Sequence, residues 1–190
     1  PQEIQPAFPF LVAEAVALGA RVAGHGGWFE TRLGAEAMTA VTRALDLVDA
    51  GSLASRRLGD LSGGERRRVL VASVLAQEPE WLLLDEPAAM LDLHHQAALF
   101  GLLQRLAREG YGVLCVTHDF NLASSFADEL LLLQDGGVCA RGTAEDVLHE
   151  HHLRPVFGDY FELVRRKEGA PAVLPRSGAP VANPGGRSRS

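Results

Sequence analysis

The run Trp81-Leu82-Leu83-Leu84-Asp85-Glu86-Pro87 constrains the fold of this chain more than any other segment. Four apolar residues in succession, without alternation, describe a strand buried on both faces, as in sheets sandwiched between helices. Pro87 ends it, because proline cannot donate to a ladder. The downstream residues have the matching rhythm. A helix is predicted over Leu93–Arg108, ending at Gly110, then an apolar strand over Val113–Val116. A short helix over Asn121–Ala127 leads to a third strand, Leu130–Leu133. Asp135-Gly136-Gly137 reads as a turn into a fourth strand, Val138–Arg141. Short helices over Ala144–His149 and His152–Val156 complete the series. Strands alternating with helices imply an α/β layer with parallel strands.

The upstream third is helical instead. Residues 1–9 are irregular, with Pro1, Pro6 and Pro9, and a short apolar helix is predicted over Leu11–Leu18. After the loop Gly24-His25-Gly26-Gly27 a second helix covers Ala35–Val48, with Met38, Val41, Leu45 and Val48 at helical spacing. A third starts at Ser62, where Ser62 and Glu65 have the S-x-x-E spacing of a capping box, and stops before Pro79. From Gly169 onward the composition turns to Pro, Gly, Ser and Arg without an acidic residue, which predicts disorder.

Bulk properties narrow the function. A formal net charge of −6 over 190 residues argues against a nucleic-acid binder driven by basic charge. Two cysteines, Cys115 and Cys139, are too few for a disulfide framework. No apolar run approaches the roughly 20 residues that span a bilayer. The chain opens Pro1-Gln2-Glu3, without Met or a signal-peptide pattern, and is expected to be an interior piece of a longer protein.

Three segments carry chemistry. Leu61-Ser62-Gly63-Gly64-Glu65 opens a helix, whose N-terminal N–H groups attract anions. Its glycines permit close backbone approach, and Ser62 adds a hydroxyl; an ordinary capped helix is the competing reading. Asp85 ends a strand at the edge where open α/β sheets hold ligands, and a carboxylate there suits Mg²⁺. Glu86, facing elsewhere, is placed to orient or deprotonate a water; a plain acidic turn is the alternative. His118 comes after the next strand and is suited to donate to a phosphate, or is a surface histidine. Asp92 equally fits a simple N-cap. His149, His151 and His152 beside Glu150 read as a solvated helical turn, Arg66-Arg67-Arg68 as the polar face of a helix, and Cys115 as a core residue.

In order and spacing these segments together resemble the ATP-binding-cassette (ABC) ATPases. Leu61–Glu65 looks like the signature motif, Leu82–Glu86 like the Walker B strand with its catalytic glutamate, Ala89–Asp92 like the D-loop and His118 like the switch histidine. Pro1-Gln2 looks like the end of the Q-loop. The resemblance covers residues 1–158 and implies an α/β fragment of the nucleotide-binding domain, a helical subdomain plus part of a mainly parallel sheet core. It divides the chain into residues 1–78 (Q-loop end, helical subdomain, signature helix), 79–166 (Walker B, D-loop, switch histidine) and a disordered tail, 167–190. Two departures stand out. The Walker A half and the adenine platform are missing: a G-x-x-x-x-G-K-[ST] loop needs a lysine, and Lys167, after Arg165 and Arg166, is the only one. Ala88 also stands where Thr or Ser is common.

The resemblance further implies ATP and Mg²⁺ as ligands. Glu86, His118 and Gln2 would be catalytic, Ser62, Gly63, Gly64, Glu65 and Asp92 would contact the nucleotide, and Asp85 and Gln2 would serve the metal. Partners would be a second ATPase subunit in a head-to-tail dimer, transmembrane permease subunits and, indirectly, a periplasmic or lipid-anchored substrate-binding protein, with no nucleic acid. The location would be peripheral, on the cytoplasmic face of a bacterial inner membrane. Ala7-Phe8-Pro9-Phe10 running into Val12–Gly19, with Leu91-Asp92-Leu93-His94-His95-Gln96, is similar to ATPases of haem, ferric-siderophore and cobalamin importers, zinc and manganese importers being the nearest competitors. The chain alone is expected to be inactive. Two other readings are a non-catalytic partner that lends only its signature face, and the split cassette of chromosome-organising ATPases. Retention of Asp85 and Glu86 weighs against the first, and the lack of sustained heptads against the second.

Overall fold

The computed structural model describes residues 10–22, 34–89 and 91–177. Packing divides the chain into two units, one ending at Thr117 and one beginning at His118.

The first unit contains α1 (Val12–Val22), α2 (Ala35–Leu47), α3 (Gly63–Leu75), β1 (Trp81–Asp85), α4 (Leu93–Arg108) and β2 (Gly112–Val116). In α2 the buried stripe is Ala37, Ala40, Val41, Ala44 and Leu45, with Val48 beyond its end. Met38 lies about 100° round the helix from Ala37, off that stripe, and is exposed, so it does not join the core expected from its spacing. The close approach of α1 to α3 depends on Gly19, since a Cβ there would run into the Ser73 carbonyl. Arg105 of α4 donates to the Leu47 carbonyl at 3.1 Å and to Asp49 at 2.8 Å, fastening α4 to the end of α2.

β1 and β2 pair in parallel, from Trp81 opposite Gly112 to Asp85 opposite Val116, with α4 as the crossover. Leu82 faces the core that this sheet shares with the helices, alongside Leu99, Leu102, Leu103 and Leu106. That shared core is why packing does not divide the chain at residues 78/79. The expectation that β1 is buried on both faces holds for one face only. Trp81, Leu83, Leu114 and Val116 are on the other, and Leu83 is 74% exposed, because the described helices of this unit all pack on the Leu82 side.

The second unit contains α5 (Phe120–Phe126), β3 (Leu130–Gln134), β4 (Gly137–Gly142), α6 (Ala144–Val147), α7 (Glu150–Phe157), β5 (Phe161–Val164) and β6 (Ala172–Pro175). β3 and β4 form an antiparallel hairpin. Its turn residues Asp135 and Gly136 both have positive φ, 51° and 79°, matching the twist of the strands. Thus β1–β2 is the parallel pair of the described chain, and the two later pairs are antiparallel. The core here is built from Leu132, Val147, Leu148, Leu153 and Phe161.

The disordered tail expected over 167–190 is corrected in its first part. Residues 172–175 are β6, antiparallel to β5. Asn121 holds that strand as another strand would: its side-chain nitrogen donates to the Val173 carbonyl at 3.1 Å, and the Val173 N–H donates to its oxygen at 3.0 Å. Arg166 adds a third bond, to the same Asn121 oxygen, at 3.1 Å. Composition missed this because the partners lie about 50 residues apart in sequence. Residues 178–190 lie outside the described residues.

Candidate functional site

The signature-like segment is built as the capping box its sequence predicts. Ser62 is the N-cap of α3, accepting from the Glu65 N–H at 3.3 Å, while the Ser62 N–H donates to the Glu65 carboxylate at 2.8 Å. The Ser62 N–H, then its hydroxyl, hold the Glu65 carboxyl below its ordinary range. Arg56 stands 3.6 Å from the same carboxylate. Glu65 is therefore occupied with shaping the turn. The two glycines differ. A Cβ on Gly63 would meet nothing within 4 Å, whereas one on Gly64 would collide with the His95 imidazole. Only Gly63 faces open space, and it is exposed.

Asp85 is the last residue of β1 and is exposed on the face shared with Leu83. Glu86 is half-buried and takes φ of 44°, in the left-handed region, although it carries a side chain and precedes proline. Its N–H donates to the Val116 carbonyl at 2.9 Å, so the β1–β2 pairing pins the strained residue. Strain of this kind persists where surrounding structure enforces it, and it clusters at functional sites. Asp85 is exposed and Glu86 half-buried, so the two carboxylates sit in different surroundings. Nearby Cys115 on β2 has its thiol pushed up to about 11, first by burial and then by the negative charges of Glu86 and Asp85. The strand end is thus an electronegative corner suited to a cation. Among the described residues no group of three or more His, Cys, Asp or Glu forms a metal cage. A carboxylate at a strand end is the kind of group Mg²⁺ takes, together with substrate phosphates and water.

Ala89 N–H donates to the Glu86 carbonyl and Leu91 N–H to the Ala88 carbonyl, both at 3.1 Å. Asp92 is the N-cap of α4, accepting from the His95 N–H at 2.9 Å, with the His95 ring nitrogen Nδ1 at 2.7 Å. Those two groups, the N–H first, keep its carboxyl below its ordinary range.

The first unit therefore gathers Ser62–Glu65 with Asp92, bridged by His95, and sets Asp85 and Glu86 at the end of β1. His118 begins the second unit and is exposed. Gln2 lies outside the described residues. His95 was missed as a site residue, since nothing in its spacing announces contact with Gly64. The histidines at the start of α7 lie close together with tilted rings, centroids 5.5 Å apart for His149–His151 and 3.7 Å for His151–His152. His151 is pushed below its ordinary value by burial and then by its two neighbours.

The chain is similar to known proteins in sequence and in fold. Residues 3–89 match the family model described as ABC transporter. The hemin import ATP-binding protein HmuV of Hahella chejuensis is 40% identical over 163 residues, covering 82% of this chain and 60% of the relative. That of Burkholderia ambifaria is 42% identical over 185 residues, covering 92% and 67%, and that of Rhizobium meliloti 37% over 186 residues, covering 93% and 68%. The chain thus spans 60% to 68% of the length of these three relatives. Among solved structures, a protein described as a metal-chelate type ABC transporter in an inward-facing conformation superposes with a TM-score of 0.77 at 28% identity, covering 93% of this chain and 70% of that one. An ATP-binding cassette in its ADP conformation, at 22% identity, shares the fold with a TM-score of 0.66 over 83% of this chain and 63% of its own. With a capped glycine turn, an acidic strand end and this extent of shared sequence, the chain belongs to the ATP-binding proteins of the ABC transporter family.

Proposed function

We propose that this chain is part of the ATP-hydrolysing, energy-coupling subunit of a bacterial importer for haem or a chemically related iron or corrinoid complex. The observation that carries the reading is the end of β1, where Asp85 closes the strand, Glu86 follows in a left-handed turn pinned by Val116, and both charges meet at one electronegative corner. The name of the relatives, hemin import ATP-binding protein, supports haem as the cargo class.

In this reading Glu86 orients the attacking water and accepts its proton, held ready by the backbone that Val116 pins. Asp85 serves Mg²⁺, which supplies charge neutralisation for the phosphates when bound. The family resemblance assigns catalytic roles to Gln2 and His118 as well. Ser62, Gly63 and Gly64 act on a different nucleotide, held by a second ATPase subunit arranged head to tail. Their helix comes after a helical segment, not the strand-to-loop connection that cradles a nucleotide within its own subunit. Gly63 suits this role, because its missing side chain leaves open space on the chain's own side. Closure on ATP and opening after hydrolysis would pass to membrane-embedded permease subunits, so the subunit works at the cytoplasmic membrane surface.

The test is Gly63→Asp in the assembled transporter. The substitution meets no clash within the chain, yet places a carboxylate and a β-carbon where a phosphate approaches. Hydrolysis should fall to background while nucleotide binding by the same subunit is kept. Mixed with a subunit that lacks phosphate-loop function but carries wild-type Ser62–Gly64, the variant should regain part of its hydrolysis. Loss of ATP binding by the Gly63→Asp monomer would show that the motif acts in cis and overturn the reading.

A further inference from the structure

The two signature glycines are glycine for different reasons. Gly63 looks onto open space, but a Cβ on Gly64 would fall within the His95 ring, 2.6 Å from Nε2 and closer still to Cδ2. His95 is the third residue of α4. Its backbone N–H and ring Nδ1 both reach the same Asp92 oxygen, at 2.9 and 2.7 Å. With the Asp92 carboxyl ionised, Nδ1 carries the proton and donates, which fixes the ring's rotation and turns its Nε2 edge toward Gly64. Upstream of Asp92, the Ala89 N–H donates to the Glu86 carbonyl and the Leu91 N–H to the Ala88 carbonyl. Contacts therefore run from Asp92 through His95 to the first turn of α3.

We propose that His95 is a positioning residue: clamped by Asp92, its imidazole seats against Gly64 and sets the signature turn relative to the start of α4. The inference rests on the reading of Ser62–Gly64 as the turn that meets ATP. It gives Gly64 a second duty beside the ligand, as the seat of the brace. It also makes the two halves of a subunit's catalytic machinery move together. When one subunit's Asp92 shifts, the turn it offers to the partner's ATP shifts with it.

A double-mutant cycle of Gly64→Ala and His95→Ala tests this, with two readouts. The first is thermal unfolding of the 190-residue chain. Alone, Gly64→Ala should lower Tm, because the added carbon meets the ring. In the His95→Ala background the same substitution should raise Tm, since alanine is the better helix residue and Gly64 needs no positive φ. The second readout is hydrolysis by the assembled transporter. Gly64→Ala should lower kcat by about tenfold or more with KM for ATP changed less than about twofold, and the double variant should recover to the level of His95→Ala. If Gly64→Ala is equally damaging to stability with and without His95, no brace exists and the proposal fails. If stability inverts but hydrolysis does not recover, the contact is structural only and the positioning role is overturned. Hydrolysis that is insensitive to Glu86→Gln would instead sink the functional reading, and the stability cycle would still decide whether the brace exists.

Discussion

Glu86 offers a test in which strain and catalysis pull in opposite directions. Its φ of 44° places a β-carbon against the following carbonyl, and Pro87 restricts the residue further. Left-handed backbone costs an ordinary residue roughly 1–2 kcal/mol. Glycine escapes that cost but loses more chain entropy on folding, by roughly 0.5–1 kcal/mol. Glu86→Ala and Glu86→Gly both delete the carboxylate and differ by one methyl group. The glycine variant should therefore be the more stable by about 0.5–1 kcal/mol, or about 1–4 °C in Tm for a chain of this size. At an unstrained position the order is reversed, with alanine ahead by about 0.4–1 kcal/mol. Urea and thermal denaturation of the 190-residue chain, followed by circular dichroism, would measure the pair, with the denaturant slope checked for constancy. Both variants should lose hydrolysis in the assembled transporter. Alanine matching or exceeding glycine in stability would refute the strain argument. Hydrolysis surviving in either variant would refute the role of Glu86 as base.

Two further outcomes are expected. Asn121→Ala removes the groups that bond both polar atoms of Val173 and the Arg166 guanidinium, and should destabilise the second unit by about 1–3 kcal/mol; faster amide exchange at Val173 would register the release of β6. Glu65 and Asp92 have carboxyls lowered in the folded state, so the stability they contribute is fully present above their unfolded values and is lost as pH falls through the lower folded ones. Tm measured from about pH 6 to pH 3 should fall in that window, and Ser62→Ala, which removes the hydroxyl partner of Glu65, should flatten part of the fall.

Much of the site's chemistry was written in local sequence, because it depends on short-range rules. A Ser three residues before a Glu makes a capping box wherever a helix begins there, and Ser62 and Glu65 form one. An apolar run into Asp-Glu-Pro makes a strand that stops, and Asp85 is its last residue. The turn at Asp135-Gly136 is of the same kind. Other features exist only after distant segments meet. The left-handed conformation of Glu86 is enforced through Val116, a distant residue on the neighbouring strand, which no local propensity for glutamate would suggest. Gly64 reads in sequence as one more flexible residue, and it is the packing of α4 that puts the His95 imidazole in the place of its side chain. Likewise, Ala172–Pro175 has the composition of a loose tail and becomes a strand because β5 supplies its ladder and Asn121 its second edge. Sequence by itself determined which residues carry charge, hydroxyl and flexibility, since those are properties of single residues and their near neighbours. Tertiary structure decided which of them are strained, braced or held, since strain and contact are set by whatever the fold brings alongside.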